Sequence, residues 1–335
     1  MRVLLICNYK PGVGGISGQV ELLQKHLRED GHVADIFSTK DSVWRRLILP
    51  LRLRRVAKHY DVLHIHCCSG WGFLPAVVGV NVGRRLKKRV VLTYHGGGGE
   101  NFFAKHTRLV KHYLMRTDAN IALSDFIGNA LDQYDIPHTI IPNVIELNDS
   151  QYRERTELHP NYICIRAHEV LYNIPCILRA FKKVQAELPD ATLTLVGGGS
   201  QHEALIQMAE AMGLKNVTFT GRVDNKEIYR YLDKADVMLS SPKVDNMPVS
   251  ILEAMNAGLL VISSRVGGVP YMVQNRNNGL LFESNDSEQL AELMLWAVEN
   301  QSHSKEMILK AHQEVGRYRW ESVKKQLYIS YGILA

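Results

Sequence analysis

Short apolar runs alternate along the whole chain with longer stretches of helical period. The strand-like runs are Val3–Cys7, Val33–Phe37, Val62–His66, Val90–Tyr94, Asn120–Leu123 and Thr139–Ile141. After a break they resume at Tyr162–Ile165, Leu193–Val196, Val217–Thr220, Val237–Leu239, Leu259–Ser263 and Leu280–Phe282. Most are β-branched or leucine-rich and lack polar alternation, as strands buried on both faces of a parallel sheet do. Helical patterns such as Gly18–Glu29, Ile174–Glu187, His202–Met212 and Asp286–Glu299 lie between them. This alternation predicts an α/β protein. The break at Glu146–Pro160 is polar, charged and without apolar period, which is linker composition. Two doubly wound, Rossmann-like domains of similar size are expected, with ligands beyond the carboxyl ends of the strands and the cleft between domains as the natural site. The tail Arg317–Leu334 carries apolar residues at Trp320, Val323, Leu327 and Ile329 and is expected to form an amphipathic helix.

Composition narrows the class. The chain has 335 residues, 46% hydrophobic and 22% charged, which excludes disorder. No apolar run reaches the ~18 residues a spanning helix needs. The opening Met1–Tyr9 reads as a buried strand rather than a signal peptide. Five scattered cysteines form neither a disulfide framework nor a metal knuckle, so a reducing cytoplasm is expected. The net charge of +6 is unevenly spread: residues 1–150 hold 20 Lys and Arg against 13 Asp and Glu, while the remainder holds 20 against 21. Different partners for the two halves follow.

Three segments carry candidate chemistry. Pro11–Gly18, with Gly14 and Gly15, follows the first strand and opens a helix, where clustered N–H groups and the helix dipole suit a phosphate. A plain strand–helix turn explains it equally well, and the G-x-G-x-x-G spacing is only partly met. At the fourth strand's end, His95 precedes Gly96–Gly99, a run unsuited to packing a core and so expected near a ligand. His64 and His66 lie inside a strand as core or cleft lining, without the acidic or cysteine cluster of a metal site. In Ser240–Gly268, the residues Asp245-Asn246-Met247-Pro248 are turn chemistry, with Pro248 suiting the first turn of a helix that runs through Ala257 and is ended by Gly258. Glu253 on that helix could accept hydrogen bonds from vicinal hydroxyls, as acids in dinucleotide folds do with ribose.

The segment D-N-M-P-V-S-I-L-E-A-M-N-A-G, with V-G-G-V-P downstream, resembles the signature of family-4 retaining glycosyltransferases of the GT-B fold. Arg166–Asn173, Val196–Gly199, Phe219–Gly221, Ile141–Asn143 and His95-Gly96 also resemble family segments and stand in the family's order. The usual first glutamate is Asp245 here, and the usual lysine of the diphosphate loop is absent. The resemblance implies an acceptor-binding domain over residues 1–150, a nucleotide-sugar-binding domain over 151–316, and a helix at 317–335 crossing back to the first. It implies that Glu253 holds the ribose, Asp245 approaches sugar hydroxyls, and the N–H groups of Asn246 and Met247 touch sugar or phosphate. Arg166 would neutralise the diphosphate, unless it merely pairs with Glu169. Asn173, Gly198, Pro248 and Val249 would complete the donor site, and His95 would contact the transferred sugar or shape the acceptor side. The implied reaction is retaining transfer from a nucleotide-sugar donor to a glycan or lipid-linked acceptor, in cell-surface polysaccharide or glycolipid synthesis. The nucleotide-sugar is a substrate, and no cofactor or metal is expected.

The basic run Val43–His59 mixes Trp44, Leu47, Ile48, Leu51 and Val56 with Arg45, Arg46, Arg52, Arg54, Arg55 and Lys58, and Pro50 is expected to divide it into two short helices. It reads either as a solvated face or as a contact to an anionic membrane surface, placing the protein at the inner face of the cytoplasmic membrane. Nucleic acid is not expected as a partner. Alternatives are a non-catalytic sugar-nucleotide-binding protein, or an NDP-sugar epimerase or dinucleotide-dependent oxidoreductase, the last of which would use Gly12–Gly18.

Overall fold

The computed structural model describes residues 1–11, 15–40, 46–146, 152–224 and 227–333. The chain divides into two compact units: Met1–Ile145 together with Tyr318–Ala335, and Glu146–Arg317. The first unit holds β1 (Arg2–Cys7), β2 (Val33–Ser38), β3 (Val62–Cys67), β4 (Arg89–Tyr94), β5 (Ala119–Ala122) and β6 (Thr139–Ile140). They form a 6-stranded sheet in the order β2-β1-β3-β4-β5-β6. The second unit holds β7 (Asn161–Ile165), β8 (Thr192–Val196), β9 (Val217–Gly221), β10 (Val237–Ser240), β11 (Leu260–Ser264) and β12 (Leu280–Phe282). Their order is β12-β11-β10-β7-β8-β9. All pairings of these strands are parallel. The order reverses between β1 and β3 in one sheet and between β7 and β10 in the other. Those reversals leave a crevice beyond the carboxyl ends of the flanking strands, because successive loops there turn to opposite faces.

The apolar runs work as both-face strands. In β1, Leu4 and Ile6 pack with Leu53, Ile65 and Phe73 on one side. Val3, Leu5 and Cys7 pack on the other with Val20, Leu27 and, from the end of the chain, Trp320, Val323 and Leu327. The closing helix runs Trp320–Tyr331, preceded by a short 3-10 turn at Gly316–Tyr318, so its apolar stripe covers the first sheet. Asp30 ties it down, accepting hydrogen bonds from Trp320 Nε1 at 3.0 Å and Tyr328 Oη at 2.6 Å. Tyr328→Phe is expected to lower stability by about 1 kcal/mol, read as a shifted urea midpoint with unchanged slope.

One expectation is met and another changes. The basic run does divide: Arg46 and Leu47 are helical, Ile48 is a turn, and Pro50 occupies the first turn of the next helix, Leu49–Ala57, where its missing N–H costs nothing; residues 43–45 of the run lie outside the described residues. The charged segment 146–160 is not a linker in its second half. Arg155 is buried and its guanidinium donates to the carbonyls of Leu232 (3.1 Å), Ala235 (2.8 Å) and Ala257 (2.5 Å). It also pairs with buried Asp236 at 3.2 Å, which Arg153 reaches at 2.7 Å. A planar, permanently charged fork can be buried when a carboxylate and several carbonyls converge on it. Polar composition disguised a packed strap.

Candidate functional site

The second unit's reversal point brings the predicted residues together. Arg166 directly follows β7, and its backbone N–H donates to the Val196 carbonyl at 3.0 Å. Its guanidinium Nη2 lies 3.0 Å from Asp245 Oδ2 and 3.3 Å from Ser240 Oγ at the end of β10. The Tyr172 ring stands 5.1 Å from the guanidinium carbon, within cation–π range. Arg166 Nε is buried with no hydrogen-bond partner among the described residues, so part of this donor fork is unspent there. The alternative pairing with Glu169 does not form. Glu169 instead accepts from the Ser200 N–H at 2.9 Å and the Ser200 hydroxyl at 2.5 Å.

Asp245 binds in two further directions. Its Oδ1 accepts from the Asn246 N–H at 2.9 Å, and its backbone carbonyl accepts from the Gly268 N–H at 3.0 Å. The loops after β10 and β11 are thereby stitched together. The Asn246 N–H, expected to meet sugar or phosphate, is here spent on Asp245, and Met247 is buried beside it.

The helix Val249–Asn256 follows, with Pro248 as its N-cap in extended conformation, one residue earlier than the first-turn position expected for it. The N–H groups of Val249 and Ser250 sit in that first turn, where no intrahelical acceptor exists and the dipole favours an anion. Ser250 Oγ is buried there without a partner among the described residues. Glu253, one turn on, is half-buried, and its carboxyl makes no hydrogen bond among the described residues. Burial pushes its carboxyl up to about 7, against a downward pull from the Arg166 charge. A carboxyl left without a partner and displaced this far costs stability, which points to use by a ligand. Gly258, at φ 76, ends the helix, and Arg155 covers the Ala257 carbonyl behind it.

Neighbouring loops hold this arrangement. Gly197 has φ +141, and a Cβ on it would lie 1.9 Å from the Arg166 carbonyl oxygen, so only glycine lets the chain after β7 run there. The Gly198 carbonyl accepts from the His168 N–H at 3.2 Å. Asn173, in the left-handed region at φ 48, donates through Nδ2 to Asn285 Oδ1 at 3.2 Å, and its carbonyl accepts from the Ser241 hydroxyl at 3.0 Å. Sequence reading did not single out Ser240, whose only mark is its place at a strand end, or Ser241. His168 was also missed: fully buried and 2.8 Å from His202 through their Nδ1 atoms, it carries no local signal.

In the first unit, Gly14 lies outside the described residues, while Gly15 is the N-cap of the helix Ile16–Glu29 at φ 70. His95 follows β4, half-buried, with Nε2 2.9 Å from Nδ1 of His66. His64 bonds the Tyr331 hydroxyl at 2.7 Å and the Thr93 hydroxyl at 2.8 Å. These rings line a cavity of about 40 Å³ with Gln19, Asn143 and apolar side chains. Burial keeps all three histidines neutral, pushing His64 down to about 3, His66 well below the usual range and His95 to about 4.

A paired six-stranded architecture with this loop arrangement is the GT-B fold. Residues 159–314 match the family model of glycosyl transferases group 1, and residues 13–149 match that of glycosyltransferase family 4. The chain belongs to these glycosyltransferases. It is 25% identical over 302 residues to N-acetyl-alpha-D-glucosaminyl L-malate synthase of Bacillus anthracis, covering 84% of this chain and 77% of that protein. It is 23% identical over 368 residues to phosphatidyl-myo-inositol mannosyltransferase of Mycolicibacterium smegmatis, covering 98% and 92%. Among solved structures, Anabaena Alr3699/HepE in complex with UDP-glucose superposes with a TM-score of 0.81 at 18% identity, over 100% of both chains. Sucrose-phosphate synthase from Thermosynechococcus elongatus gives 0.81 at 18%, over 99% and 98%.

Proposed function

We propose that this glycosyltransferase moves a sugar from a nucleoside-diphosphate sugar, with retention at the anomeric carbon, to a glycan or lipid-linked acceptor. The Arg166–Asp245 pair, with Glu253 one helical turn behind, carries the reading. Glu253 receives the ribose hydroxyls, which supply the hydrogen bonds its carboxylate lacks. The diphosphate meets Arg166 and the first turn of Val249–Asn256, and Asp245 then turns to the sugar hydroxyls. His95 is the first unit's contact to substrate. The departing diphosphate gains negative charge, so a fixed cation stabilises the transition state more than the ground state. Arg166 and the helix N-terminus supply this charge in place of a metal ion, and EDTA is expected to leave the initial rate unchanged. The relatives support the class of acceptor and donor: one is a phosphatidyl-inositol mannosyltransferase, and one structural neighbour holds UDP-glucose.

Calorimetric titration with UDP-, GDP-, ADP- and CMP-sugars tests the reading, followed by donor turnover in the purified protein. Binding without transfer or hydrolysis would make the chain a non-catalytic sugar-nucleotide binder. No binding to any of the four would remove the assignment.

A membrane-presented acceptor is favoured by one observation. Leu47 and Leu51 are 73% and 61% exposed beside Arg46, Arg52, Arg54 and Arg55, an apolar and cationic face suited to anionic headgroups. No helix among the described residues is long and apolar enough to cross a membrane. Arg54→Gln is expected to weaken sedimentation with phosphatidylglycerol vesicles by roughly 1 kcal/mol, or about fivefold, with donor binding unchanged. Equal sedimentation would leave this an ordinary solvated face.

A further inference from the structure

The first unit contains a polar feature that sugar transfer does not by itself explain. His64 and His66 project from β3 onto a largely apolar sheet face, where Val3, Val20, Val62 and Val91 pack. Burying imidazoles among valines is costly unless their nitrogens are engaged. His64 is fully engaged, with Tyr331 on one nitrogen and Thr93 on the other. His66 is half engaged: Nδ1 lies 2.9 Å from His95 Nε2, while Nε2 is buried without a partner among the described residues.

Each neutral ring carries one N–H, so only two proton arrangements join His66 to His95. If His95 Nε2–H donated, the remaining proton of His66 would sit on Nε2, a buried N–H with no acceptor. If His66 Nδ1–H donates, the orphan atom is a bare lone pair, which is the milder omission. A water could relieve the first arrangement only where several polar partners converge. The nearby candidates are largely spent, His64 and Thr93 on each other and Gln19 on both backbone groups of Val144.

We propose that His66 is a positioning residue whose Nδ1–H donates to His95 Nε2 and fixes His95 as the Nδ1–H tautomer. Nδ1 of His95 has no partner among the described residues. His95 therefore meets its substrate as a hydrogen-bond donor to an oxygen, not as a base. This rests on the reading that His95 contacts substrate, and it adds the direction of that contact and the residue that sets it.

The test is long-range proton–nitrogen NMR of the imidazoles in the ligand-free, ¹⁵N-labelled full chain at pH 7.5, with His95 assigned by its loss in His95→Gln. The wild type is expected to show His95 protonated at Nδ1, whereas an unconstrained neutral histidine favours Nε2. An Nε2–H form in the wild type overturns the proposal, and needs no variant to fold. His66→Phe is expected to release His95 to the Nε2–H form and to lower kcat about tenfold. His66→Asn, whose amide N–H can replace the ring N–H, is expected to restore both. The ligand-free spectrum tests the tautomer whatever the substrate is. A normal kcat in a variant whose His95 has switched tautomer overturns the positioning role.

Discussion

Replacing Arg166 by alanine is expected to lower kcat by about 10²–10³-fold, the usual cost of removing one preorganised electrostatic stabiliser. KM for the donor is expected to move far less, because leaving-group charge grows toward the transition state. The geometry makes the loss specific. Arg166 is held between Asp245, Ser240 and the Tyr172 face, and its Nε has no partner among the described residues. Arg166→Lys is expected to recover only part of the rate, since an ammonium cannot hold Asp245 and a phosphate oxygen in one plane. A raised KM with kcat intact would make Arg166 a ground-state contact. Because Asp245 loses its counter-charge in Arg166→Ala, the unfolding midpoint of each variant must accompany the kinetics.

Glu253→Ala is expected to weaken donor binding by about 2–3 kcal/mol, the scale of charged hydrogen bonds to two hydroxyls. Unchanged calorimetric affinity would remove Glu253 from the ribose. The same residue predicts a pH effect with a definite sign. Burial pushes its carboxyl up from the ordinary 4.5 to about 7, so between those values the folded state binds a proton the unfolded chain has released. Stability at this site therefore falls as pH rises from about 4.5 to about 7. Glu253→Gln removes that contribution, and its midpoint is expected to gain on the wild type across the window. The buried neutral histidines oppose this trend in both proteins, because their lowered values leave the unfolded chain holding more protons below 6.5. They cancel in the comparison. Ribose hydrogen bonds favour the ionised carboxylate, so donor affinity is expected to rise with pH through the same range.

Much of this was legible in the residues. Strands such as Val3–Cys7 announced themselves because both of their faces are apolar. Glu253 was readable because its spacing from Pro248 fixes its place on one short helix. The partners of these residues were not readable. Arg166 meets Asp245 because β7 and β10 are neighbours at the reversal point, although β8 and β9 intervene in the sequence. His66 and His95 were each visible, but their contact depends on β3–β4 register, which sets His66 opposite Thr93 and places His95 one step past the strand. Arg155 misled in the other direction. Its charged surroundings suggested solvent, and only the folded positions of Asp236 and the nearby carbonyls account for its burial.

That buried arginine also determines where the chain can be divided. The carbonyl at Ala257, at the closed end of the helix bearing Glu253, is satisfied by a side chain upstream of the matched glycosyl transferases group 1 segment at 159–314. A second unit excised at residue 159 would leave Asp236 buried without either arginine and the carbonyls of Ala235 and Ala257 without the donors described here, while Leu232 would keep only the Ala235 N–H. An excision beginning at Glu146 keeps the strap and all these contacts. A chimera that takes this chain's second unit therefore has its seam before the strap, and one joined after it would inherit the Glu253 helix with its rear support removed.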